Sequence, residues 1–286
     1  MKYFGEGLSE KQKELSGIIR KKERSGEAGI SFVRNGVKSK RKKRLAVWCI
    51  LLCLLIFLTA MGIGVGTKKI KLNRFFSKMY QVHGVDVSHY QGTIDWPVLS
   101  ESGIRFAFIK ATEGSGHVDE NFAENWENVK ETGLYAGAYH FFSFDSPAET
   151  QADLFIATVP KEEGRLAPVV DIEFYGDKAS NRPDPDSVRE QLSILLGRME
   201  AHYGVKPVIY TTMRMYDSYI KGHYEEYPLW IRNTYYTPDF GMKGKWTFWQ
   251  YSDTEKRSGY SGQEAFIDMN VFKGSEEDLK EFLQKE

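Results

Sequence analysis

The hydrophobic pattern divides the chain in two. One long apolar run occupies residues 45–66, LAVWCILLCLLIFLTAMGIGVG, with 22 positions and no charge. A helix needs about 20 apolar residues to cross a ~30 Å hydrocarbon core, so this run predicts a transmembrane helix. After residue 80 the pattern changes to short apolar segments at 82–87, 104–109, 135–142, 167–172, 207–210, 229–231, 246–251 and 266–271. Several are apolar on both faces, as parallel strands covered by helices are. Between them lie helical stretches. Asp184 and Pro185 form an N-cap and first-turn pair, Val188, Leu192, Leu195, Leu196, Met199 and Tyr203 repeat with a helical period, and Gly204 closes the segment. Phe122, Trp126 and Val129 predict a second helix, and residues 147–159 a third. Strand and helix alternation with eight strand candidates predicts an α/β fold, a barrel of TIM type. Segments after Tyr227 are too short for full helices, so the last third should be irregular. The whole reads as an irregular TIM-like (β/α) barrel preceded by a single transmembrane helix.

Charge sharpens this division. The formal net charge is zero, yet residues 1–79 carry 19 basic and 5 acidic side chains, while residues 80–286 carry 20 basic and 34 acidic. The halves are therefore +14 and −14. Residues 1–44 alone sum to +9 and the flank beyond the apolar run, with Lys68, Lys69, Lys71, Arg74 and Lys78, to +5. Positive-inside then places the N-terminus in the cytoplasm and the barrel outside the cell. A cleaved signal peptide is the competing reading; the long apolar run, the long basic leader and the lack of an A-x-A site favour an uncleaved anchor in the cell membrane. The expected layout is a basic cytoplasmic tail over 1–44, the span over 45–66, a juxtamembrane linker over 67–80 and the barrel over 81–286. Residues 1–40 read as a flexible polar tail, with anionic lipid headgroups as a partner. Cys49 and Cys53 are the only cysteines and lie in the apolar run, where they read as lipid-facing filler.

In a parallel barrel the active site gathers at the C-terminal ends of the strands. Those ends supply Asp86, Ser88 and His89; Lys110 and Glu113; Tyr139 and His140; Asp171 and Glu173; Tyr210; Trp230 and Arg232; Trp249, Gln250 and Tyr251; Asp268 and Asn270. Several carboxylates would thus converge inside an aromatic rim. Asp171 and Glu173 share one face of a strand because side chains alternate, and two acids side by side within a sheet point to chemistry. Close, poorly solvated carboxylates push their pKa values apart, so one stays protonated while its neighbour stays ionised. Glycosidic cleavage needs that division of labour. Each residue also has a plainer reading. Asp86 could be a lone structural acid, Asp268 a turn residue, and Glu113 a solvated turn residue. Lys110 suits a charge partner for buried carboxylates better than a nucleophile.

Other chemistries find little support. The six histidines show no H-E-x-x-H or H-x-H spacing, so no metal is expected. No cysteine, G-x-S-x-G elbow or Walker loop occurs after residue 80. No cofactor is implied. No motif supports nucleic-acid binding, and the −14 of the barrel argues against a polyanionic substrate.

Gly84-Val85-Asp86-Val87-Ser88-His89-Tyr90-Gln91-Gly92, with Ile94-Asp95-Trp96, resembles the opening signature of glycoside hydrolase family 25, the lysozyme-type muramidases. Similar segments follow in order: Phe108-Ile109-Lys110-Ala111-Thr112-Glu113-Gly114, Gly137-Ala138-Tyr139-His140-Phe141, Val170-Asp171-Ile172-Glu173, Pro207-Val208-Ile209-Tyr210-Thr211, Leu229-Trp230-Ile231, Trp249-Gln250-Tyr251-Ser252 and Asp268-Met269-Asn270. The resemblance spans residues 82–284. It implies a barrel of five β/α units followed mainly by β structure, and hydrolysis of the β-1,4 bond between N-acetylmuramic acid and N-acetylglucosamine in peptidoglycan. By motif, Glu173 matches the general acid/base, Asp171 its partner toward the 2-acetamido group, and Asp86 and Asp268 the other two active-site carboxylates. Tyr139, Tyr210, Trp230, Trp249, Gln250 and Lys110 are the substrate-binding candidates. Arg232 departs from the pattern, where a small residue is usual. The expected enzyme is a membrane-anchored N-acetylmuramidase acting on peptidoglycan glycan strands. A non-catalytic peptidoglycan-binding module and a chitinase-like glycosidase are the alternatives.

Overall fold

The structure, a computed structural model, describes residues 10–285. The chain forms two compact units, residues 1–67 and 68–286. The described residues of the first form one helix, α1 (Glu10–Gly66). The stretch read as a flexible tail is thus helical from Glu10 onward. Its first part is rich in Glu, Lys, Gln, Arg and Leu, all good helix formers. Residues 1–9 lie outside the described part. Within α1, residues 41–66 are long and apolar enough to cross a membrane, and Leu51, Leu55 and Leu58 stand exposed.

In the second unit, a short helix α2 (Asn73–Ser77) precedes a sheet of nine strands. These are β1 (Val82–Val87), β2 (Phe106–Glu113), β3 (His117–Val118), β4 (Tyr135–Phe141), β5 (Val169–Ile172), β6 (Val208–Thr212), β7 (Leu229–Arg232), β8 (Phe248–Glu255) and β9 (Ile267–Phe272). Their order is β1-β9-β8-β7-β6-β5-β4-β2-β3, and β1 also pairs with β2, closing eight strands into a barrel. β3 lies outside the ring as a hairpin on β2. Its two exposed residues gave no periodic signal.

Parallel pairing runs from β1 through β2, β4, β5, β6 and β7 to β8. β9 is antiparallel to both neighbours. This corrects the expectation that the eighth barrel strand ends, like the others, at the site: Asp268 stands near the start of β9. It still reaches the site end, because the reversed strand sets Asp268 opposite Asp86. No helix lies between β8 and β9, so a crossover that would return the chain parallel is missing.

Helices α3 (Trp96–Ser100), α4 (Phe122–Asn128), α5 (Ala148–Thr158) and α6 (Pro185–Tyr203) cover the outer face of the sheet. α6 follows its sequence signals closely. The Asp184 side chain accepts from Ser187 N–H, Pro185 opens the first turn, and Gly204 closes the helix at φ 71°. After β6 the chain keeps only short helical turns, among them residues 213–220 and 239–242.

Two apolar clusters follow from strand alternation. The outer one joins Val85, Ile109, Ala138, Ile172 and Ile231 of the sheet to Trp126, Phe155, Leu195 and Met199 of the helices. The inner one fills the lower lumen with Phe106, Phe108, Val169, Val208, Trp230, Phe248 and Phe272. Two glycines make this lumen possible. A Cβ on Gly84 would lie 2.5 Å from the Phe106 ring, and one on Gly137 would lie 2.8 Å from Phe108. The aromatic floor leaves the upper lumen open for polar side chains.

Candidate active site

Above that floor, at the C-terminal ends of the parallel strands, lies a cavity of about 380 Å³. Asp86, Asp171, Glu173 and Asp268 line it, together with Lys110, Tyr139, Tyr210, Trp230 and Gln250. All four candidate acids and five of the six substrate-binding candidates therefore meet in one place. The sixth does not. Trp249 is fully buried in the outer cluster, and its indole N–H donates to Asn233 C=O at 2.8 Å. Trp249 and Gln250 are consecutive on β8, so alternation allows only one of them to face the lumen. His140 likewise faces outward, buried between Thr112 and Gln151 at 2.7 and 3.0 Å. Burial lowers its pKa to about 4, which keeps it neutral.

Asp86 is held by two amides. Asn270 Nδ2 donates to it at 2.6 Å, and Gln250 Nε2 donates to its two oxygens at 3.0 and 3.1 Å. Gln250 also donates to Asp268 at 3.1 Å. Each amide oxygen has its own donor. Trp230 Nε1–H donates to Asn270 Oδ1 at 2.9 Å, and Tyr210 O–H to Gln250 Oε1 at 3.0 Å. An indole can only donate, so Trp230 fixes which way the Asn270 amide points. Asp86 therefore receives N–H groups, and these favour its ionised form.

All four carboxyls are pushed upward, chiefly by burial. For Asp268 burial comes first and the Asp86 charge second, and its pKa rises to about 9. A hydrogen bond between the two raises Asp268 and lowers Asp86, which favours the proton on Asp268. Asp171 is raised well above the ordinary range, first by burial and then by the charge of Glu173. One of its oxygens, Oδ1, is buried and has no hydrogen-bond partner. Burial also raises Glu173, and the Asp86 charge adds to this, while the Arg232 guanidinium pulls it down. A buried acceptor without a donor costs about 1–3 kcal/mol. That cost is relieved when a ligand brings an N–H or O–H to Asp171.

Two β-bulges complete the rim. The first lies between Lys110 and Thr112 and reverses the alternation, so Glu113 joins Lys110 on the lumen side and pairs with it at 2.7 Å. The second lies between Gln250 and Ser252 and brings Asp253 to the cavity, where it accepts from Arg232 at 2.7 Å. Simple alternation from Gln250 would have turned Asp253 outward, which is why sequence reasoning missed it. Phe141, also a wall residue, was findable by counting two positions on from Tyr139. Among the described residues, no group of three or more His, Cys, Asp or Glu is arranged to hold a metal ion.

The arrangement is suited to acid–base chemistry on a neutral, hydroxyl-rich ligand, with aromatic walls and carboxyls of differing protonation. Comparison with known proteins agrees. The profile of the glycosyl hydrolases family 25 matches residues 85–260. A solved family 25 glycosyl hydrolase from Bacillus anthracis is 48% identical, covers 71% of this chain and 94% of its own, and superposes with a TM-score of 0.68. Lysozyme M1 of Streptomyces globisporus is 33% identical over 204 residues, 68% of each chain. The protein YegX of Escherichia coli O157:H7 is 39% identical over 209 residues, 71% of this chain and 74% of its own. With the profile match and these identities set against the barrel and its carboxyl cluster, the chain belongs to glycosyl hydrolase family 25 and is a glycoside hydrolase.

Proposed function

We propose that the barrel hydrolyses peptidoglycan as an N-acetylmuramidase, cleaving the β-1,4 bond between N-acetylmuramic acid and N-acetylglucosamine. The observation that carries this reading is the Asp171–Glu173 pair, set two residues apart on one strand end and facing Asp86 and Asp268 across one cavity. Burial keeps a proton on Glu173 to higher pH than an exposed glutamate holds it. Glu173 then protonates the leaving glycosidic oxygen, and its carboxylate later takes the proton of the attacking water. The unpartnered oxygen of Asp171 is placed to accept from the N–H of a substrate 2-acetamido group. Asp86, whose ionised form the Asn270 and Gln250 amides favour, supplies negative charge against the oxocarbenium-like carbon, with Asp268 as the partner that carries the proton. Tyr139, Tyr210 and Lys110 contribute walls and donors toward sugar hydroxyls.

The same reading places the chain in the cell membrane, spanning it once between residues 45 and 66, with the N-terminus in the cytoplasm and the barrel outside. The basic leader before the apolar run supports that direction. Release of soluble muropeptides from purified cell wall by residues 68–286 tests the activity. Glu173→Gln should lower the rate by at least about a hundredfold, the low end of a general acid's contribution. Equal rates for wild type and variant would overturn the assignment of the acid.

A further inference from the structure

The three most exposed large hydrophobic side chains among the described residues of the barrel unit are Met79, Phe75 and Phe240, at 71%, 69% and 62%. Two of them, Phe75 and Phe240, flank Phe76. Phe75 packs edge-on against Phe76, and Phe76 against Phe240, both at 5.4 Å between ring centres. Beside them Lys68 and Lys71 lie over the Tyr235 ring at 4.8 and 5.4 Å. The segment is fixed to the barrel: Leu72 and Asn73 N–H donate to Tyr235 C=O, and Asn73 Nδ2 donates to Tyr251 C=O at 2.6 Å. Of its five basic residues, Lys68, Lys69, Lys71, Arg74 and Lys78, only Arg74 has a carboxylate partner among the described residues.

We propose that this surface, with Phe75 and Phe240 at its centre and Lys68 and Lys71 beside them, seats the barrel on the anionic headgroups of a lipid bilayer. Charge and connectivity both select that occupant. The patch is basic on a domain whose residues 80–286 sum to −14, so a negatively charged membrane repels the domain overall and attracts this patch. It also begins at Lys68, two residues beyond the apolar run that ends at Gly66. Exposed aromatic rings beside lysines suit the headgroup and acyl boundary, whereas a soluble polyanion gains nothing from Phe75 or Phe240.

The test uses residues 68–286. They form a compact unit of their own, and the solved Bacillus anthracis relative consists almost entirely of the matching barrel. Sedimentation with vesicles of mixed phosphatidylglycerol and phosphatidylcholine should show binding that weakens at least about tenfold on phosphatidylcholine alone, and also in high salt. Lys68→Ser with Lys71→Ser should weaken it about fivefold per charge removed. Phe75→Ser with Phe240→Ser should weaken it about tenfold, with wall hydrolysis in solution unchanged. Equal binding to both vesicle types would overturn the proposal. So would full vesicle binding by the double phenylalanine variant together with competition by soluble polyglycerol phosphate, which would make the partner a soluble polyanion. A wild type that binds vesicles but cuts no wall would refute the muramidase reading and leave the membrane surface standing.

Discussion

Asp268→Asn should make the barrel more stable at neutral pH while impairing its activity. The native pKa of Asp268 is pushed from 3.8 to about 9. Folding at pH 7 therefore takes up a proton that the unfolded chain has lost. At ~1.4 kcal/mol per pH unit, the roughly three units between 3.8 and 7 correspond to about 4 kcal/mol. The carboxyl is partly exposed to a water-filled cleft, and screening reduces this to about 2 kcal/mol. Because the native value lies above the unfolded one, this stability is fully present below about pH 4 and is lost as pH rises toward about 9. Asparagine escapes the loss. It is neutral at every pH, its NH₂ replaces the proton that Asp268 offers Asp86, and its oxygen still accepts from Gln250. Urea denaturation of residues 68–286 at pH 4 and pH 8 measures the effect. Wild type and variant should be nearly equal at pH 4, and the variant should be more stable by about 3 kcal/mol at pH 8, one unit further along the same slope. A variant no more stable than wild type at pH 8 would refute a protonated Asp268.

Arg232→Met removes the charge that pulls Glu173 down, so the alkaline limb of kcat/KM should move to higher pH; a limb that stays in place or moves down contradicts the electrostatic role. Gly137→Ala puts a Cβ 2.8 Å from Phe108 and 3.0 Å from Leu166, and overpacking of this kind should cost about 1–3 kcal/mol in a denaturant titration. Trp249→Phe should destabilise the barrel by about 1–3 kcal/mol, through loss of the donor to Asn233, while kcat/KM per folded molecule stays at the wild-type level. A large rise in KM there would return Trp249 to the substrate cleft.

The barrel was legible because parallel strands covered on both sides leave continuous apolar runs, and seven of its eight strands follow that rule. β9 also reads as a strand, but a run of apolar residues carries no direction. Its reversal depends on a connection from β8 that has no helix. Asp171 and Glu173 were legible as a pair because only the regular alternation of β5 and its immediate extension is involved. Asp253 was not, since it depends on a bulge that inverts the alternation, and the bulge before Glu113 is what pairs that candidate with Lys110 instead of leaving it a solvated turn residue. Trp249 misled for the opposite reason: it is aromatic and adjacent to Gln250, but the unbroken part of β8 turns it outward. Asn270 acts through its contacts, a donor to Asp86 and an acceptor from Trp230, that join β1, β7 and β9. No local pattern in the sequence announces such a junction.

Mass spectrometry of the products from defined peptidoglycan bears most directly on the function. Residues 68–286 should release fragments whose new reducing end is N-acetylmuramic acid, and Glu173→Gln should release almost none. New reducing ends on N-acetylglucosamine, or equal product from the variant, would show that the bond or the acid has been assigned wrongly.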